Sequence, residues 1–182
     1  MTMLAELRGL CPDRLLAPYE ARLVAERQAA RLLRLQQISE PPVPEQLIEY
    51  FPRVQVRYVQ ASHLSGSVRF KDGRWQILIN RDATWGRIRF TLAHEFKHLV
   101  DHPLAPTIYG ARHTDRAQHA AERSAEVFAA ALLMPKAWMK RVYYDECLRD
   151  ERALRRRFQV SAQALRIRLD ELGLTDPVGA TA

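Results

Sequence analysis

Only two cysteines, Cys11 and Cys147, occur in the 182 residues, far apart and in no CxxC pair. Their scarcity excludes a disulfide framework and a thiolate zinc site, and leaves both as buried or surface thiols. Long apolar runs are missing too, since no stretch approaches the roughly eighteen uncharged apolar residues that a membrane span requires. The first residues, "MTMLAELRGLCPDRLL", carry charges where a signal peptide has its apolar segment. A cytoplasmic protein without membrane association is expected. No internal repeat or low-complexity tract is evident. Acidic residues are in deficit, 21 against 28 basic ones, for a net charge of +7 with arginine supplying most of the excess. That balance suits an acidic partner or nucleic acid, but it does not choose between them.

What the chain does have is 47% hydrophobic residues, enough for one domain with a real core. Residues 13–38 fit an amphipathic helix with Pro18 near its start and Leu23, Ala30 and Leu33 as its apolar positions. "SEPPVP" breaks it, and "EQLIEYF" reads as a short helix. Val54 to Val59 alternates as a half-buried strand. Ser67 to Phe70 and Arg74 to Asn80 read as two strands joined at Asp72-Gly73, a strong hairpin signal. The period then changes, and Ile88, Leu92, Phe96, Leu99 and Val100 mark one face of a helix that Pro103 and Pro106 end. Residues 103–115 have loop composition. An alanine-rich helix follows from Ala117 to Met134, and another from Pro135 through "KAWMKRVYYDECL". Two short helices close the chain, broken near Gln159, with Ser161 as N-cap and Gly173 as stop.

The segment "FTLAHEFKHLVDH" carries His94, Glu95 and His98 as HExxH. Four residues make about one helical turn, so both imidazoles project from one face and can share one zinc. Glu95 lies off that face, near enough to reach a water on the metal as general base. A catalytic zinc takes three protein ligands and keeps a fourth position open. The extended signature HExxHxxGxxH would put a histidine at 104, which is Leu104. His102 lies about 12 Å of helical rise from His94, too far to share one ion, and reads as structural or solvated. Downstream, Glu122, Ala125, Glu126, Ala129 and Leu133 form one stripe whose alanines permit close helix approach. Glu122 is the expected third ligand. Glu126, one turn on, is placed to accept a hydrogen bond from the far nitrogen of a ligand histidine. Both glutamates would be ordinary solvated charges if no metal were present.

"RFTLAHEFKHLVDH" followed by "ERSAEVFAAALLMP" resembles the ImmA/IrrE family of zinc metallopeptidases. "PPVPEQLIEYFPRVQVRYV" looks like that family's lead-in to its first strand, and "FQVSAQALRIRLDELGL" like its C-terminal helix-turn-helix segment. The resemblance implies an α+β, zincin-like minimal metallopeptidase domain: a small antiparallel or mixed sheet packed on the HExxH helix, with helix-turn-helix-like helices behind it. It implies residues 1–18 as an N-terminal extension, 19–145 as the peptidase domain, 146–176 as the C-terminal segment and 177–182 as a tail. It implies that His94, His98 and Glu122 bind zinc, that Glu95 is catalytic, and that the origin is bacterial or phage. The implied substrate is a helix-turn-helix repressor or antitoxin whose cleavage releases genes from repression. Two positions depart from the family pattern. Lys97 stands where glycine usually precedes the second histidine, and Glu126 where Asn or Asp is usual.

The implied reaction is peptide hydrolysis with zinc, or manganese on the same ligands, and Glu95 shuttling the proton. Tyr109, Arg112, His113 and His119 are the nearest donors in sequence for the developing oxyanion. Arg74 to Asn80 is the strand edge a peptide would pair with. A competing reading takes the chain as a weakly catalytic or non-catalytic regulator, or one half of a toxin pair. It would bind DNA or a partner protein through the C-terminal helices, where Arg152, Arg155, Arg156, Arg157, Arg166 and Arg168 cluster.

Overall fold

The computed structural model describes residues 2–49, 51–60, 65–110 and 114–174. Three strands, β1 (Val54–Val59), β2 (Gly66–Lys71) and β3 (Arg74–Asn80), form one mixed sheet in the order β1-β3-β2. β2 and β3 are an antiparallel hairpin, with Gly66 opposite Ile79 and Lys71 opposite Arg74. The turn is made by Asp72 and Gly73 with φ of 52° and 72°, the two positive values that a tight hairpin of right-twisted strands requires. β1 pairs parallel to β3 from Val54–Trp75 to Val59–Asn80. The strand Arg74–Asn80 is therefore central, not the edge expected from the sequence. β2 is the edge that lies beside the HExxH helix.

The helices are α1 (Met3–Arg8), α2 (Pro18–Leu35), α3 (Gln46–Glu49), α4 (Trp85–Asp101), α5 (Ala105–Tyr109) and α6 (Asp115–Leu133). After them come α7 (Lys136–Lys140), a π-helical turn at Arg141–Asp145, α8 (Glu151–Phe158) and α9 (Ala162–Glu171). α5 occupies part of the segment expected to be loop. Pro106 sits in its first turn, where a missing N–H costs nothing. None of the described helices is long and apolar enough to cross a membrane.

α4 lies under the sheet, with Ile88, Leu92, Phe96, Leu99 and Val100 buried against Ile77 and Ile79 and neighbouring core residues. α6 packs between α4 and α2. Ala25, Ala29, Ala125 and Ala129 are all fully buried, and side chains this small let helix axes approach closely. The buried face of α2 is thus Ala21, Val24, Ala25, Gln28, Ala29, Leu32 and Leu33, while Leu23 and Ala30 are exposed. The expected face was misplaced because the packing is carried by alanines and by Gln28, whose amide donates to the Leu7 carbonyl at 3.0 Å. α1 is docked as well. Leu7 is fully buried, and Arg8 donates to the carbonyls of Val100 and Leu99 at 3.0 and 3.2 Å, satisfying acceptors that the end of α4 leaves open.

α8 and α9 share this core through Leu154, Phe158, Val160 and Leu165. Asp150 and Ser161 cap them by accepting from Ala153 and Ala164 N–H groups. Gln159 takes the left-handed conformation that ends α8. Where the α8–α9 turn meets the first turn of α4, only glycine fits. A Cβ on Gly86 would lie 2.5 Å from the Ser161 nitrogen and 2.6 Å from the Val160 carbonyl carbon.

Candidate metal centre

The i, i+4 spacing on α4 sets His94 and His98 side by side, with their Nε2 atoms 3.1 Å apart. Glu122 reaches them from α6. Its Oε2 lies 3.1 Å from His94 Nε2 and its Oε1 3.4 Å from His98 Nε2. These three residues are a cluster of potential ligands whose donor atoms all lie within 4.8 Å of one another. The single proton of a neutral imidazole nitrogen cannot satisfy three mutual approaches around one point. A cation can, because a tetrahedral zinc with arms of about 2.0–2.1 Å holds its ligand atoms about 3.3 Å apart. The donor set therefore fits the metal that the spacing predicts. Glu122 is half-exposed, so the cluster opens to solvent, as a site that admits water and substrate must. Burial, and then the neighbouring His94, hold His98 below the usual imidazole value, which favours the neutral, ligating form.

Glu95 points toward the sheet and is only 9% exposed. Burial, with a smaller contribution from the Glu122 charge, raises its carboxyl to about 7. A divalent cation on the adjacent donors would pull that value back down. Its side chain passes directly under β2. A Cβ on Gly66 would come within 3.1 Å of Glu95 Cγ and Oε1, and within 2.4 Å of the Thr91 methyl. Gly66 is thus a site residue that sequence reasoning missed. The one signal was a glycine opening the strand in "SGS".

Residues 53–170 match the profile of the IrrE N-terminal-like domain, a peptidase family, across well over half of the chain and through both helices that carry the His94–His98–Glu122 cluster. The chain belongs to this IrrE-like peptidase family. Curated protein sequences contain no match. Among solved structures of the same fold is a Mycobacterium tuberculosis transcriptional regulator, at 20% identity and a TM-score of 0.57. The likeness covers 93% of this chain but 52% of that one, so the chain spans about half the length of that protein. At this identity the comparison concerns the fold alone.

Within this IrrE-like domain, the remaining expected site residues separate. Tyr109 is buried, and its hydroxyl donates to Asp101 Oδ2 at 2.5 Å, so it is committed to the core rather than to an oxyanion. Lys97 is 1% exposed and pairs with the same Asp101. The bulky cation is therefore turned away from the metal face into a buried Lys97–Asp101–Tyr109 cluster. Glu126, expected to orient a ligand histidine, instead accepts from Arg123 Nη1 at 2.8 Å on the open side of α6. His119 is exposed on α6, one turn before Glu122 and on the same side. Arg112 and His113 lie outside the described residues. His102 ends α4 with its ring edge-on to Trp75, at 4.8 Å between centroids. Of the C-terminal arginines, Arg168 is buried and donates to the Met134 carbonyl, Arg166 is held by Glu151, and Arg157 lies 3.9 Å from Glu40. Arg152, Arg155 and Arg156 remain exposed.

Proposed function

We propose that the chain is a zinc-dependent endopeptidase whose substrate is a DNA-binding repressor or antitoxin protein. The observation that carries the catalytic part is the convergence of His94, His98 and Glu122 at tetrahedral-edge spacing, with Glu95 alongside. Membership of a peptidase family supports it. The choice of substrate rests on the ImmA/IrrE resemblance of the two motif-bearing segments.

When bound, zinc supplies Lewis acidity, which acidifies water and polarises a carbonyl, and manganese can occupy the same donors. His94 and His98 contribute neutral nitrogens, and Glu122 contributes the charge that partly neutralises a dication. Glu95 takes a proton from the attacking water as the carbon–oxygen bond forms. It returns that proton to the amine nitrogen as the carbon–nitrogen bond breaks. A peptide substrate is positioned by pairing with the free edge of β2, whose Gly66 brings bare backbone over Glu95. We take His119, exposed on α6 three residues before Glu122, as the candidate donor to the oxyanion.

The test begins with purified protein, which is expected to bind about one equivalent of zinc and to cut a helix-turn-helix protein encoded beside it. Glu95→Gln is expected to retain the metal while cleavage falls by about 10²–10⁴-fold. Cutting by Glu95→Gln at the wild-type rate would sink the mechanism.

A further inference from the structure

A cleft of about 610 Å³ opens between the N-terminal half of α4, the middle of α6 and the outer face of α9. It belongs with the metal cluster by position. Thr91 in its wall precedes His94 by three residues, and Glu126 on its rim follows Glu122 by four, each about one helical turn from a donor. Its volume lies in the range of pockets that hold small ligands, more than a single small side chain fills. Phe90, Val127, Ala130, Ala164 and Ile167 make its apolar lining. Ile167 is 51% exposed, an apolar surface facing an apolar cleft, which an occupant would cover.

The acidic groups around the cleft are all engaged. Arg87 and Arg123 stand opposite Glu126 and Glu171. Arg123 is engaged by Glu126 at 2.8 Å and by Glu171 at 3.5 Å, while Arg87 donates to Ser65 Oγ at 2.9 Å. A cation entering here would lose water and find Glu126 and Glu171 already paired, and an anion would find Arg87 already hydrogen-bonded to Ser65, whereas an apolar side chain loses nothing. Thr84 and Gln163, neutral and at the margin, suit a passing main chain.

We propose that this cleft receives a bulky, uncharged apolar side chain of the peptide substrate close to the scissile bond, and that α9, through Ala164 and Ile167, sets which side chains enter. The inference rests on the peptidase reading and goes beyond it. The C-terminal pair of helices becomes a wall of the substrate cleft. Residues of an extended peptide rise about 3.3 Å each, so a side chain one turn from the donors belongs to a near neighbour of the cleaved bond.

The test uses the zinc-loaded full chain and a positional-scanning peptide library. Cleavage is expected to favour Leu, Ile, Phe or Met at one fixed position beside the cut. Ala130→Phe, which fills the cleft from a partly exposed position, is expected to turn that preference toward Ala and Gly by about tenfold. Ile167→Asp, a surface change that leaves the core intact, is expected to weaken the apolar preference similarly. A second readout needs no cutting: Glu95→Gln protein captured on an array of the same peptides, with and without Ala130→Phe. Loss of retention for the bulky peptides alone is expected there. Retention with that pattern but no cleavage by wild type keeps the cleft assignment and removes the peptidase reading. Neither cleavage nor retention removes both. A profile indifferent to residue type at every position, or unmoved by both substitutions, overturns the cleft assignment alone.

Discussion

At the scale of single residues, Lys97 shows how identity and role separate. Next to His98 of the candidate metal cluster, a lysine invites a catalytic reading, yet its position on α4 turns it inward to Asp101, which also accepts from Tyr109. Removing one partner of a buried pair leaves an uncompensated charge. Lys97→Ala is therefore expected to lower the stability of the zinc-free protein by about 3–5 kcal/mol in urea unfolding. Lys97→Met with Asp101→Asn, which removes both charges, is expected to recover most of that loss. An unchanged midpoint for Lys97→Ala would mean that the pair contributes nothing. His94, Glu95 and His98 were legible because their geometry is local: one helical turn decides it. Tyr109 and Glu126 were not, because a side chain's partner is chosen by whichever element packs opposite it, and spacing along the chain carries no record of that.

At the scale of elements, the three strands and helices α4 and α6 followed their periods closely, while the helix expected from Pro135 through Leu148 is the short α7 and a π-helical turn, and the Asp72-Gly73 turn set the hairpin. Edge and centre did not follow. β3 is flanked on both sides because the parallel pairing with β1 crosses over β2, a long-range choice that alternation along one strand does not encode. The junction of α4 with the α8–α9 turn is similar. Gly86 reads as an ordinary helix-start glycine, but the structure uses it for backbone contact. Gly86→Ala must displace backbone rather than a flexible side chain, so a loss of about 1–3 kcal/mol is expected. Faster proteolysis across 146–150 is the accompanying sign that the C-terminal pair has loosened. Wild-type resistance would show that the close approach is dispensable.

At the scale of the whole molecule, a metal held by His94, His98 and Glu122 would join two helices that the chain separates by residues 102–114, so its removal would be felt globally. With free zinc about a thousandfold above its dissociation constant, binding adds about 4 kcal/mol to stability. A chelator is then expected to lower the melting temperature by about 8–16 °C. A melting temperature indifferent to chelation would argue against a zinc shared between α4 and α6. The net charge of +7 also acts at this scale. Arg152, Arg155 and Arg156 are free to meet phosphates, but the start of α9 lies against α4 instead of projecting as a recognition helix. Duplex DNA is expected to bind weakly, without sequence preference and with steep salt dependence. A sequence-specific footprint at physiological salt would restore the DNA-binding reading.

By itself the sequence determined what is periodic or adjacent: the paired imidazoles, the glutamate beside them, the hairpin turn, the caps of the last helix. These depend on backbone geometry over a few residues, which side-chain order specifies directly. Only the tertiary structure decided that Glu122 reaches the two histidines, that β2 is the edge over Glu95, that Lys97 faces inward, and that α9 walls a cleft one turn from the His94–His98–Glu122 cluster. Each of those depends on which surfaces pack together, and packing is settled by the volume and shape of the entire core.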